Sequence, residues 1–115
     1  MDGLTSEVLT QASEDYSGLY EIVWAFRARF MPDSSEAELV AAAATAVRSL
    51  LDRGYIRLVR FRQQPEEEVV EVPENEVAAV LESADSWRPP SSWEEPYPSV
   101  DVTEAGKRAW RRSPQ

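Results

Sequence analysis

From Ser35 onward the apolar residues Val40, Ala43, Val47, Leu50 and Leu51 recur at three- and four-residue steps, the spacing of one buried helix face. Ser35 followed by Glu38 predicts a capping box at the start of this helix. Gly54, after Arg53, predicts its end, because glycine enters a left-handed turn without a Cβ penalty. From Tyr55 to Phe61 the rhythm becomes β-branched and aromatic, which predicts a strand. Gln63-Gln64-Pro65-Glu66 then reads as a loop, and Val69-Val70-Glu71-Val72 as the return strand of a hairpin.

Upstream, Ser17 is placed to cap a helix with Leu19, Ile22, Val23, Phe26 and Phe30 on one face, ended by Met31-Pro32-Asp33. Tyr20 and Trp24 make a second aromatic face, so this helix is expected to be covered on two sides, with Trp24 and Trp110 in the core. Residues 1–14 are polar apart from Leu4, Val8 and Leu9, and read either as a frayed terminus, the slightly preferred reading, or as a short docking helix. The run Ala41 to Ala44, extended by Ala46, has high helix propensity and lets a neighbouring helix approach closely. Downstream, Pro73 suits the first turn of a helix with Val77, Val80, Leu81 and Ala84 inward and Trp87 continuing that face. Four prolines deny residues 88–98 a regular backbone. Val100 and Val102 predict a short last strand, and Thr103 caps a helix over 104–112 whose basic final turn suits the helix dipole. The expected fold class is α+β: about four helices and a small antiparallel three-stranded sheet, in a single domain over 15–115 with an insertion at 73–98.

Composition narrows the chemistry. At 115 residues, 43% of them hydrophobic, the chain fits one domain with a modest core. Cysteine and histidine are both absent, which removes disulfides, thiolate metal sites, the strongest nucleophile and the usual general base. Four glycines form no phosphate-binding loop, and Glu66-Glu67-Glu68 lacks the ligand spacing of a calcium loop. No catalytic residue, cofactor or metal is therefore expected. The acidic, interrupted start of the chain reads as neither a signal peptide nor an anchor, and a cytoplasmic protein with no membrane partner is expected.

The net charge of −9 is unevenly placed: residues 1–26 hold five acids and no base, and residues 66–86 hold eight acids and no base. Such a field opposes approach to nucleic acid. Against it stands a cluster of Arg48, Arg53, Arg57, Arg60 and Arg62, which would suit phosphate contacts. The plainer reading, and the preferred one, pairs hairpin arginines with Glu66, Glu68 and Glu71 across the ladder, at roughly 0.2–1 kcal/mol per pair.

The segments AVRSLLDRGYIRLVR (46–60) and VDVTEAGKRAW (100–110) resemble the core of a winged-helix domain, in which a helix ending in an Arg-Gly turn leads into the wing and the returning strand runs into a Thr-Glu-x-Gly helix start. The likeness covers residues 17–62 and 99–112. The layout is also similar to small bacterial proteins of no assigned function that share a Leu-Tyr-Glu-Ile-Val first helix. The resemblance implies a winged-helix-like fold and, as the second-ranked role, a DNA-binding regulator acting as a homodimer through the first helix or residues 1–14. The chain departs from the pattern twice: nothing interrupts residues 36–53 to separate a second helix from a recognition helix, and the 73–98 insertion enlarges the wing.

The first-ranked role is binding another protein, of basic character, as an adaptor, inhibitor or immunity-type protein. Its candidate contact residues are Trp93, Glu94, Glu95 and Tyr97, held in a stiff proline-rich loop that has little entropy left to lose on binding. In the rival reading that loop is simply pinned over the core by its aromatics. Display requires Trp93 exposed and Trp87 buried.

Overall fold

The computed structural model describes residues 1–112; residues 113–115 of the expected domain lie outside them. Helix α1 (Gly3–Glu14) leads through a two-residue strand β1 (Ser17–Gly18) into helix α2 (Leu19–Arg29) and helix α3 (Glu36–Asp52). Strands β2 (Ile56–Arg62) and β3 (Glu68–Glu71) form a hairpin, followed by helix α4 (Glu74–Glu82) and a 3₁₀ turn at Ala84–Trp87. Strand β4 (Tyr97–Val102) and helix α5 (Glu104–Arg112) complete the described chain. The sheet is antiparallel throughout, in the order β1-β4-β2-β3. The α+β class holds, with five helices and four strands among the described residues in place of four and three.

The added helix is α1. Asp2 caps it, accepting from the Thr5 N–H at 2.8 Å, and that bond holds the Asp2 carboxyl below its ordinary range. Thr5, Val8, Leu9 and Ala12 form its buried stripe, so residues 1–14 are a core element rather than a frayed terminus. The stripe is hard to read because a threonine and an alanine supply half of it. Ser17 is not a cap but half of β1, paired with Val100. The cap position of α2 falls to Gly18, whose N–H donates to Glu21 at 3.0 Å.

Helix α3 starts with the expected reciprocal box between Ser35 and Glu38. Its buried face is Leu39, Ala43, Ala46, Val47 and Leu50, while Val40 and Leu51 sit half-buried at the flanks. At its end Gly54 takes φ 73°, with Tyr55 N–H donating to Leu50 and Gly54 N–H to Leu51, both at 3.0 Å. These two bonds are the paired closure of a Schellman turn.

The Thr-Glu-x-Gly segment locks onto this turn. Thr103 Oγ1 accepts from the Gly106 N–H at 3.1 Å and donates to the Gly54 carbonyl at 2.6 Å, while the Thr103 N–H donates to Tyr55 at 3.0 Å. A Cβ on Gly106 would lie 1.9 Å from the Tyr55 carbonyl oxygen, so only glycine permits this approach.

Strand β4 starts at Tyr97, inside the segment expected to be irregular. Pro98 is accommodated there because β1 pairs only with Ser99 and Val100, leaving Pro98 no neighbour on that side. The inner sheet face, with Ile56, Leu58 and Val100, packs with α1, α2 and α3 into the main core. Among the described residues no helix is long and apolar enough to cross a membrane.

Candidate binding surface

Side chains alternate across a strand, so Phe61 and Tyr97, opposite each other in the register, point away from the main core. They join Tyr20, Tyr16 and Val69 in a second cluster on the outer sheet face. Tyr16 stacks on Phe61 (centroids 4.9 Å, 18°). Edge contacts then run from Trp24 to Tyr20 (4.9 Å), from Tyr20 to Tyr97 (5.7 Å) and from Tyr97 to Trp93 (6.2 Å). The middle of this aromatic line is buried and both ends are exposed: Trp24 by 52% and Trp93 by 44%.

Trp87 is buried, its Nε1 donating to the Leu81 carbonyl at 2.9 Å, and Trp93 is exposed, as display requires. Glu94 and Glu95 beside Trp93 are exposed as well. The loop is held from beneath by the Gln64 N–H, which donates to the Trp93 carbonyl at 2.9 Å. Tyr97, expected in the displayed set, is instead a buried strand residue whose hydroxyl accepts from Gln63 Nε2 at 2.8 Å. It supports the Trp93 ring and presents little surface of its own.

Two further aromatic expectations fail. Trp24 is exposed rather than in the core, and Phe30 is 42% exposed where a buried face was expected. The i,i+4 pairing of Tyr20 with Trp24 was visible in the sequence; what it could not say is that α2 has its second side open. Burial, with the charge of Glu21 next, pushes the Tyr20 phenol up to about 12. Tyr97 is raised mainly by burial, with Glu21 and Asp15 adding to it.

The arginines divide. Arg57 bridges Asp101 (2.8 Å) and Glu71 (3.1 Å), which keeps its guanidinium firmly charged. Arg62 meets its register partner Glu68 at 3.5 Å. Glu66, the third expected partner, makes no ion pair among the described residues. Arg48, Arg53 and Arg60 are exposed and likewise unpaired among the described residues, and Arg48 and Arg60 line separate concavities. Arg60 lines a concavity with Glu76, Asp85 and Glu95, and Arg48 lines another with Asp52, Glu71 and Glu74. Carboxylates therefore stand beside Arg48, Arg57, Arg60 and Arg62, four of the five cations expected to meet phosphate.

The inserted segment runs beside α3 across open concavities: Val77 of α4 shares one with Leu51, Ala78 and Leu81 share one with Ala44, Thr45 and Arg48, and Ala84 and Trp87 share one with Ala37, Val40 and Ala41. Ala37, Ala41, Thr45 and Arg48 stay exposed, and so does Ala84, which was expected to face inward. The small residues Ala43 and Ala46 are buried, and the helices that approach α3 closely are α1 and α2.

Comparison of the chain with protein-family models, curated proteins and solved structures found no match.

Proposed function

We propose that this chain is a non-catalytic protein-binding module of winged-helix-like architecture, an adaptor, inhibitor or immunity-type protein for a basic protein partner. The element order supports the winged-helix likeness better than the sequence did. Counting α1 as the first helix makes α2 the second and α3 the third, and the segment Phe30–Ser35 between them supplies the break that residues 36–53 lacked. Strand β1 pairs with the strand that returns after the hairpin, and that strand leads to the Thr103 helix start.

One observation favours protein over DNA as the partner. In helix-turn-helix readers the recognition helix lies in the major groove, and here Arg48 of the corresponding helix, α3, shares its concavity with Asp52, Glu71 and Glu74, so carboxylates stand where phosphate would have to come. The start of α3 carries Glu38 and Glu36, the latter paired with Arg27, and so offers phosphate no cation of its own. Trp93 remains as an exposed indole on a pinned loop flanked by Glu94 and Glu95. An anchor of this kind costs little ordering entropy and suits a cationic partner surface.

Affinity capture with immobilised protein tests the reading. A basic protein retained by wild type and weakened by more than about 1 kcal/mol on Trp93→Ala supports it. Retention of duplex DNA, lost on Arg48→Glu with Arg53→Glu, would replace it with the regulator reading.

A further inference from the structure

A cleft of about 490 Å³ opens between α1 and α2, on the opposite end of the aromatic line from Trp93. Trp24 and Tyr16 line it, and so do the carboxylates of Glu14, Asp15 and Glu21. At one end the cleft is already neutralised, because Arg29 holds Glu7 at 3.0 and 3.2 Å. The other three carboxylates form no ion pair among the described residues. Glu21 does bond the Gly18 N–H, and Asp15 the Tyr16 N–H at 2.7 Å, but a backbone amide leaves the carboxylate charge in place.

Glu21 sits favourably in the first turn of α2, but Glu14 and Asp15 do not. Glu14 and Asp15 stand at the C-terminal end of α1, where the helix dipole is negative and a cation belongs, and the last turn of α1 carries no basic residue. By contrast, α2 ends on Arg27 and Arg29, and α5 on Arg111 and Arg112. Among the described residues no ion pair offsets Glu14 or Asp15 at the end of α1. Beside this uncompensated negative end lies Trp24, which turns half of its surface to solvent. An indole face flanked by carboxylates is the arrangement that takes a guanidinium, which stacks on the ring while its edge donates to oxygen pairs. A lysine ammonium lacks that planar match. A metal ion is a poorer occupant, because among the described residues no cluster of acidic side chains is close enough to hold one.

We propose that the α1–α2 cleft docks an arginine-bearing extended segment of the protein partner, with a guanidinium over Trp24 between Glu14, Asp15 and Glu21. The proposal rests on the reading of the chain as a protein-binding module and names the chemistry of its partner, but it does not rest on Trp93.

The probe is a fluorescein-labelled octapeptide of alternating arginine and glycine, titrated by anisotropy and by quenching of tryptophan emission in low salt. Trp24→Ala is expected to weaken binding roughly fivefold to tenfold with little change in melting temperature, and the lysine-glycine peptide to bind wild type more weakly than the arginine one. Glu14→Gln with Asp15→Asn is expected to weaken binding, whereas Glu66→Gln with Glu67→Gln, an equal change in charge on the hairpin loop, is not. Trp93→Ala is expected to leave peptide binding unchanged, which separates this site from the loop: failure of the cleft would appear here, and failure of the loop only in partner capture. Equal losses from the two charge variants with none from Trp24→Ala, equal binding of the two peptides, or no binding at all, would each overturn the proposal.

Discussion

Replacing Leu9 with alanine removes most of a side chain that is 1% exposed and packed among α1, α2 and α3. Its neighbours in the core, Val8 and Phe26 among them, belong to helices that other contacts hold in place, so the space left behind collapses only partly. Lost transfer energy and residual cavity together cost about 2–5 kcal/mol for a fully buried Leu→Ala change. A domain of this size has a total stability on the order of 5–15 kcal/mol, so the variant loses a large share of it. At roughly 3–6 °C per kcal/mol the melting temperature should fall by about 10–20 °C. Thermal unfolding followed by circular dichroism reads this directly, with Leu4→Ala, half-buried in the same helix, as a milder comparison. If Leu9→Ala melts within about 2 °C of wild type, α1 is not a core element, and the helix count supporting the winged-helix likeness fails with it.

Three other outcomes follow from the same contacts. Gly54→Ala should cost about 1–2 kcal/mol in denaturant unfolding from its φ of 73° alone, since no atom lies within 4 Å of the added Cβ; Gly54→Asn should lose less, and equal stability in all three proteins would contradict the turn geometry. Leu50→Ala should destabilise by about 2–5 kcal/mol and Leu51→Ala clearly less, because only Leu50 is fully buried; equal melting temperatures for the two variants would place the helix face wrongly. Ultraviolet titration should show a tyrosine ionising near 12, and because the folded state holds that proton more tightly, the stability it contributes is present below about pH 10 and lost as pH rises towards 12. Tyr20→Phe should reduce that alkaline loss, with the raised Tyr97 phenol supplying a remaining part, and an unchanged alkaline profile would refute the burial of Tyr20.

What could be read in advance was what depends on near neighbours. Ser35 with Glu38, Gly54 at its turn and Thr103 before Gly106 each act over a few residues, and each does what its spacing implies. Misreadings arose where one residue type serves two local structures or where distant chain decides. Serine both caps helices and begins strands, so Ser17 in β1 was indistinguishable from a cap. On α3 the expected face holds at Ala43, Val47 and Leu50, but Leu39 and Ala46 replace Val40 and Leu51 as buried positions, because neighbouring apolar residues compete and only packing selects between them. Trp24 and Phe30 looked like core residues because aromatic spacing cannot report whether another element covers them. The cleft beside Trp24 was invisible for a related reason: it needs α1 as a wall, and α1 hides its stripe behind Thr5 and Ala12. The alanine run announced a close neighbour without naming it, and that neighbour is the pair α1 and α2.

The central claim is that this fold meets a protein through its aromatic outer side, and not DNA through α3. The most direct measurement is quantitative capture from the native host on three matrices in parallel: wild type, Trp93→Ala, and Arg48→Glu with Arg53→Glu, each assayed for bound protein and bound nucleic acid. The expected result is one basic protein held in stoichiometric amount by wild type and the arginine variant, reduced roughly fivefold or more by Trp93→Ala, with no nucleic acid on any matrix. Nucleic acid on the wild-type matrix, released by salt, missing from the arginine variant and indifferent to Trp93, would contradict the account.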